Sequence, residues 1–291
     1  METALSRREL LSALSLAALP LRWEERPLEA GDKAPKFQVG LVTYNVARDW
    51  NLATIIKHCH DAKYGGVELR TTHAHGVEPS LSAERRKEVR QQFQEGGVRL
   101  WGLGSVCEFQ STDPKIVQDN IETCKHFCEL AKDTGAKGVK VRPNGLPKEV
   151  PIEKTLEQIG NALQVCGQAA HDNGVEIWLE VHGGGTAHPP HIKTIMEVCN
   201  RANVGICWNS NPQDVVDGSV KTYFDLLKPW LKSCHINDLW GSYPYRELFA
   251  LMRACGYDGV TMCEVGTPVP AEAGGVFLQC YHGLWNELNR L

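Results

Sequence analysis

The sequence has no excess of basic residues. Its 31 lysines and arginines stand against 35 aspartates and glutamates, which gives a formal net charge of -4 at pH 7. Proteins that bind nucleic acid attract phosphates with a positive field or a local basic patch. The sequence offers neither, so we expect no nucleic-acid partner.

The sequence also lacks an apolar run long enough to span a bilayer. The N-terminal segment METALSRRELLSALSLAALPLRW has only about a dozen apolar residues after Arg7 and Arg8, the length of a signal-peptide core. Residues 6–11 resemble the twin-arginine export signal, which carries proteins that fold before export. We therefore expect residues 1–23 to direct the protein to the periplasm. The alternative is an amphipathic N-terminal helix on a cytoplasmic protein.

A paired cysteine motif is missing as well. The eleven cysteines are scattered singly, with no CxxC spacing of the kind that binds zinc or works in redox exchange. Several, such as Cys207, Cys234 and Cys263, stand within apolar runs. Because free cysteine packs as a small hydrophobic residue, we expect most of them to lie in the core.

The rest of the chain is typical of a large globular domain. After a charged linker at 24–36, residues 37–291 alternate short apolar runs with longer stretches of helical spacing. Several of these stretches end in glycine, as helices often do. The predicted strands are 37–45, 66–71, 98–105, 138–143, 175–181, 204–209, 233–238 and 259–265.

Eight strands alternating with helices predict a single-domain α/β protein, a (β/α)₈ TIM barrel. The alternative is an open, doubly wound sheet, which would usually carry a glycine-rich phosphate loop after its first strand. The segment TYNVARDWN that ends the first strand contains no glycine. We therefore expect the barrel, with functional groups at the carboxyl ends of its strands.

Four consecutive late strands end in a polar side chain. These residues are Glu180, Asn209, His235 and Glu264, separated by 29, 26 and 29 residues. Each spacing corresponds to one strand and helix, so closure of the barrel would point all four into one mouth. Two carboxylates, an imidazole and an amide oxygen suit one divalent cation such as Mn²⁺, Mg²⁺, Co²⁺ or Zn²⁺.

Other polar side chains are candidates for substrate binding at the same mouth, with a solvated rim or an ordinary turn as the alternative. Arginine suits the recognition of a carboxylate or phosphate, and the other groups suit sugar hydroxyls. The candidates are Glu68, Arg70 and His75 near the second strand, Lys140 and Arg142 at the fourth, and His182 and His188 after the fifth.

The strand-end motifs carry a family resemblance. WLEVHG, which contains Glu180, CHINDL, which contains His235, and MCEV, which contains Glu264, resemble motifs of the xylose isomerase-like TIM barrels, the sugar phosphate isomerase/epimerase superfamily. In its epimerases the four matching positions bind one divalent metal, and the two glutamates exchange protons with a substrate carbon. Asn209 departs from the usual aspartate, which removes one negative charge from the site.

The resemblance and the residue types imply an isomerase or epimerase that acts on a sugar or polyol carbonyl through an enediolate. One alternative is a lyase or hydratase that uses the same site for β-elimination from a keto-sugar or keto-glycoside. Another is a carbohydrate-binding barrel without activity, in which Asn209 has weakened the metal site. The expected partner is a small carbohydrate, and a homo-oligomer is an open alternative to a monomer.

Overall fold

The structure is a computed structural model that describes residues 35–290. The predicted export signal and most of the predicted linker lie outside the described residues. Eight parallel strands close into a barrel in chain order, β1 to β8, and each pairs with its sequence neighbours. The predicted (β/α)₈ barrel is therefore confirmed.

Strands and helices alternate along the described chain. The strands are β1 Gln38–Val42, β2 Gly66–Arg70, β3 Leu100–Gly104, β4 Gly138–Val141, β5 Glu176–Glu180, β6 Val204–Asn209, β7 Leu231–Ile236 and β8 Val260–Cys263. The helices are α1 Leu52–Asp61, α2 Ala83–Glu95, α3 Pro114–Thr134, α4 Ile152–Asp172, α5 Pro189–Cys199, α6 Lys221–Leu227, α7 Tyr245–Ala254 and α8 Ala271–Asn289. Short 3₁₀ turns at Pro212–Asp214 and Lys228–Trp230 flank α6.

Local sequence sets several helix ends. Asn51, Ser82 and Asp113 precede α1, α2 and α3, and each side chain accepts a hydrogen bond from a backbone N–H of the first turn. Gly135 ends α3 in the left-handed conformation, with φ at 83°. These caps fix where each helix begins and ends relative to the strand that follows it.

The core has two parts. The larger part lies between the barrel and its helices, and the smaller part fills the barrel interior. In the interior the rings of Trp101 and Trp178 stack with their centroids 5.6 Å apart. A Cβ on Gly138 would lie 2.5 Å from the Trp178 ring, so glycine makes room for this apolar plug. The space left for polar groups therefore lies at the carboxyl ends of the strands.

Cysteine burial agrees with the sequence. Nine of the eleven free cysteines are buried, and only Cys255 and Cys280 are exposed. The prediction that most cysteines pack in the core is confirmed. Within residues 35–290 no helix combines the length and the apolar character that crossing a membrane requires.

Candidate functional site

A layer of polar side chains lies directly above the apolar plug. Side chains alternate along a strand, so a residue two positions after an interior residue also faces the interior. Glu180 follows Trp178 on β5 in this way, and Asn209 follows Cys207 on β6. Glu264, which comes just after β8, stands in the same relation to Met262. Strand periodicity therefore delivers these groups to the mouth of the barrel.

His235 on β7 is the centre of the layer and is fully buried. Its Nε2–H donates to Oε2 of Glu68, from β2, over 3.2 Å. Its Nδ1 lies 3.3 Å from Glu264 Oε2 and 3.5 Å from Glu180 Oε1. Because Nε2–H donates to Glu68, Nδ1 is the atom that the imidazole presents to the two other carboxylates.

The residues present fit a divalent cation. Glu180, His235 and Glu264 can each offer one ligand atom, with all three atoms within 4.8 Å of one another. The Nδ1 of His235 and the Oδ1 of Asn209 are buried and have no hydrogen-bond partner, which is a cost that a bound cation would remove. Among residues 35–290 no other group of three such acidic, histidine or cysteine side chains gathers this closely.

Lys140, on β4, is buried beside this cluster and has no place on the solvated rim. Its Nζ donates to Glu180 Oε2 over 2.8 Å, and both side chains are only 4% exposed. Burial alone would lower the pKa of Lys140, but the carboxylates of Glu180 and Glu68 hold it above its usual value. Burial also opposes ionisation of Glu180, yet Lys140 holds the pKa of that carboxyl well below its usual range.

Asn209 contacts the same carboxylate from the other side. Its Nδ2 donates to Glu180 Oε1 over 3.2 Å. Asp214, the next carboxylate along this loop, turns away and accepts hydrogen bonds from the N–H of Asn211 and the hydroxyl of Tyr243. Burial raises the pKa of Asp214 to about 7. Asp214 therefore lies outside the cluster formed by Glu180, His235 and Glu264.

Two arginines lie at the strand ends beyond this layer. Arg142 Nε donates to Glu108 Oε1 over 2.8 Å. Arg70 stacks 5.4 Å above the ring of Tyr44 and donates to Nε2 of His73 over 3.3 Å. Burial and the nearby guanidinium of Arg70 lower the pKa of His73 to about 4, so that the ring is neutral and can accept.

The three predicted histidines have different surroundings. His182 follows Glu180 by two positions, and its Nδ1 is buried without a hydrogen-bond partner. His75 accepts from the Val77 N–H and donates to the Arg70 carbonyl, so both ring nitrogens hold the loop after β2. His188 is exposed and packs edge-on against His191. Of these three histidines, only His182 has a buried ring nitrogen without a hydrogen-bond partner.

The sequence did not reveal two contacts that define the site. Glu68, a predicted substrate contact, accepts a hydrogen bond from His235. Lys140, also a predicted substrate contact, donates one to Glu180. A usable signal was present, because each charged residue stands between two apolar residues of its strand. Such a residue can face the barrel interior only if a partner meets it there.

Comparison with known proteins supports this description of the fold. Residues 56–276 match the family model described as xylose isomerase-like TIM barrel. No curated protein sequence matches the chain significantly.

Three solved structures are similar over most of the chain. A D-psicose 3-epimerase from Clostridium cellulolyticum H10, solved with D-tagatose, is 13% identical with a TM-score of 0.73, over 88% of this chain and 100% of that one. The IolI protein with a bound zinc atom is 17% identical with a TM-score of 0.73, over 88% and 100%. The 3-keto-D-glucoside 4-epimerase YcjR from E. coli is 15% identical with a TM-score of 0.69, over 87% and 98%. Identities this low show a shared fold.

Proposed function

This chain belongs to the xylose isomerase-like TIM barrel family, as its strand-end motifs predicted, and on that premise we propose that it is a divalent-metal-dependent isomerase or epimerase. We propose a sugar or polyol carbonyl as the substrate group. The observation that carries the proposal is the convergence of Glu180, His235 and Glu264 within 4.8 Å at the mouth of the barrel. Two of the similar structures are named as sugar epimerases, and a third holds zinc.

The metal would be held by Glu180, His235 and Glu264, with the amide oxygen of Asn209 as a fourth ligand. When bound, a divalent cation would polarise the substrate carbonyl and acidify the adjacent C–H bond. Asn209 is neutral, so the site offers two negative charges from its ligands in place of the usual three. The amide oxygen still suits a hard cation.

Glu180 and Glu264 are the proposed proton-transfer groups. Their carboxylates approach the same atom, His235 Nδ1, at 3.5 and 3.3 Å. One can remove the proton next to the carbonyl, and the other can return a proton to the opposite face of the planar enediolate. Return to the same carbon inverts its configuration, and return to the neighbouring carbon gives the isomer.

The residues around the glutamates prepare them for this work. Lys140 and Asn209 hold one carboxylate by its two oxygens, and Glu68 fixes the imidazole ring. Fixed groups lose little freedom when the transition state forms. Arg70, Arg142 and His182 are proposed to contact the substrate oxygens beyond the layer.

The test is exchange of a substrate C–H proton in heavy water, followed by NMR. The panel is D-psicose, D-fructose, D-tagatose and a 3-keto-glucoside, with protein loaded with Mn²⁺, Mg²⁺, Co²⁺ or Zn²⁺ in turn. We expect deuterium at the carbon next to the carbonyl with at least one sugar, and a loss of about 100-fold or more in Glu180→Gln and Glu264→Gln. Glu129→Gln, on an exposed position of α3, is the matched control.

The same spectra separate the alternatives. Loss of a hydroxyl or of the aglycone from the keto-glucoside would identify elimination at this site. Sugar binding without exchange would identify a binding protein. If the protein neither retains a divalent metal nor exchanges any proton of the panel, the proposed function is wrong.

A further inference from the structure

The candidate metal centre contains a cation of its own. Lys140 is 3% exposed and its Nζ lies 2.8 Å from Glu180 Oε2. Its charge also acts on Glu68 and Glu264. An ammonium group in contact with a metal ligand repels an incoming metal ion. The position of Lys140 beside Glu180 therefore calls for an explanation.

Asn209, like Lys140, makes the charge of the site less negative than it would be with a carboxylate at that position. Where the family usually has a carboxylate, this chain has an amide whose Nδ2 donates to Glu180 Oε1. Both oxygens of Glu180 therefore accept hydrogen bonds from the protein itself. The carboxylate is held in place from two sides without a metal.

The charges of the cluster can be counted. Glu68, Glu180 and Glu264 bring three negative charges, and Lys140 removes one of them. An imidazole that binds a metal is neutral, so His235 would add no charge in the loaded site. Two negative charges are then left, which is the charge that a single divalent cation neutralises. An aspartate at position 209 or a neutral residue at position 140 would each leave one negative charge uncompensated after the metal binds.

We propose that Lys140 is a positioning residue that orients Glu180 and, through its charge, weakens the hold of the site on a divalent cation. This inference rests on the proposed metal-dependent function. A site of low affinity exchanges its metal with the solution. The orientation of the Glu180 carboxylate, however, does not depend on the metal. Lys140 thus supplies part of the organisation that a tightly bound metal would otherwise provide.

Removal of the Lys140 charge is expected to increase the metal affinity of the protein. Substitution of a residue that only supports the fold would leave metal affinity unchanged or reduce it. Removal of a repelling charge increases the affinity, because the negative potential at Glu180 then acts on the metal alone. Lys140→Gln keeps a hydrogen-bond donor and removes the charge, and Lys140→Met removes both.

The experiment measures Mn²⁺ affinity of chelator-stripped protein by calorimetric titration. We expect Lys140→Gln and Lys140→Met to bind Mn²⁺ about 10-fold or more tightly than the unchanged protein, and Asn209→Asp to do the same. Lys140→Arg, which keeps the charge, should stay within about 3-fold of the unchanged protein. Lys232→Met is the matched control, since Lys232 pairs with Glu176 at the amino-terminal end of the strands.

The metal-saturated neutral variants should turn over more slowly than the unchanged protein, because Glu180 loses the group that orients it. Tighter metal binding together with slower substrate turnover distinguishes a positioning role from a structural one. Circular dichroism and the melting temperature confirm the fold of every variant. If both neutral variants fail to fold, Lys140 is required by the barrel and the proposal is overturned.

The remaining outcomes separate this inference from the proposed function. If the unchanged protein binds Mn²⁺ and turns over a sugar, but the folded neutral variants bind Mn²⁺ no more tightly, only the role of Lys140 is wrong. If neither the unchanged protein nor any variant binds Mn²⁺, both fail. Asn209→Asp with unchanged affinity would overturn the charge argument even though it leaves Lys140 in place.

Discussion

At the residue scale, the candidate site depends on a carboxylate that orients another side chain. Glu68 and His235 are both fully buried, and their contact fixes which imidazole nitrogen faces Glu180 and Glu264. Carboxylates behind metal-binding histidines commonly have this effect. The consequence can be tested without knowing the substrate.

Glu68→Ala should weaken binding of Mn²⁺ by about 10- to 100-fold, because His235 loses the acceptor that orients it. Glu68→Gln keeps an oxygen that can accept the Nε2–H and should lose less. Calorimetric titration of both stripped variants measures the effect, with Glu78→Gln in the loop after β2 as a control. Equal affinity in the alanine variant and the unchanged protein would show that Glu68 does not support the metal.

Asp214 gives a prediction about pH. Burial raises its pKa in the folded protein to about 7, above the usual 3.8. The folded state therefore holds the proton more tightly than the unfolded state, and the stability contribution present at low pH is lost as the pH rises through about 7. At high pH the charged, buried carboxylate destabilises the folded state.

Asp214→Asn removes that cost and still offers an oxygen to Asn211 and Tyr243. We expect the variant to be more stable than the unchanged protein at about pH 8, by up to about 4 kcal/mol, with a smaller difference at about pH 5. Urea unfolding at the two pH values measures it. A gain of the same size at both would contradict the raised pKa.

At the scale of elements, the loop between β5 and α5 connects Glu180, a proposed metal ligand, to His182 and the helix. Gly183 in this loop has φ at 94°, in the region that favours glycine. A Cβ there would lie 2.5 Å from Thr186 Oγ1 and 2.7 Å from the Pro143 carbonyl oxygen. The loop conformation therefore depends on this glycine.

Gly183→Ala should destabilise the protein by about 1–3 kcal/mol through backbone strain, with a further cost from the close contacts. Because the loop begins at His182, we also expect a higher KM for any sugar that is turned over. Gly184→Ala is the matched control, since a Cβ at that neighbouring position meets nothing within 4 Å. Equal melting temperatures for the two variants would refute the argument.

At the scale of the whole molecule, the barrel separates stability from chemistry. The tryptophan pair and the glycines around it fill the interior below the polar layer, and the helices cover the outside. The polar layer can therefore vary while the barrel stays closed.

Export is the other whole-molecule prediction, and it concerns residues outside the described part of the chain. We propose that Arg7 and Arg8 direct the protein to the periplasm through the twin-arginine route, which would suit a chain whose cysteines are unpaired. Arg7→Lys together with Arg8→Lys should leave the protein in the cytoplasm, as cell fractionation would show. Arg22→Lys is the control, and periplasmic recovery of the double variant would contradict this route.

The sequence by itself determined the fold and the four strand-end positions. Both follow from short-range regularities, namely the alternation of side chains along a strand and the repeat of one strand and helix. Glu180, Asn209, His235 and Glu264 could be aligned in this way before any contact was known. The helix caps at Asn51, Ser82 and Asp113 are equally local.

Only the tertiary structure decided how these groups are partnered. Lys140 and Glu180 are 40 residues apart in the chain, and Glu68 and His235 are 167 apart. Whether such pairs meet depends on the register of all the strands and on closure of the barrel, which no local pattern encodes. Burial explains these two contacts, because a charged side chain sealed inside the barrel must bind a partner within the protein.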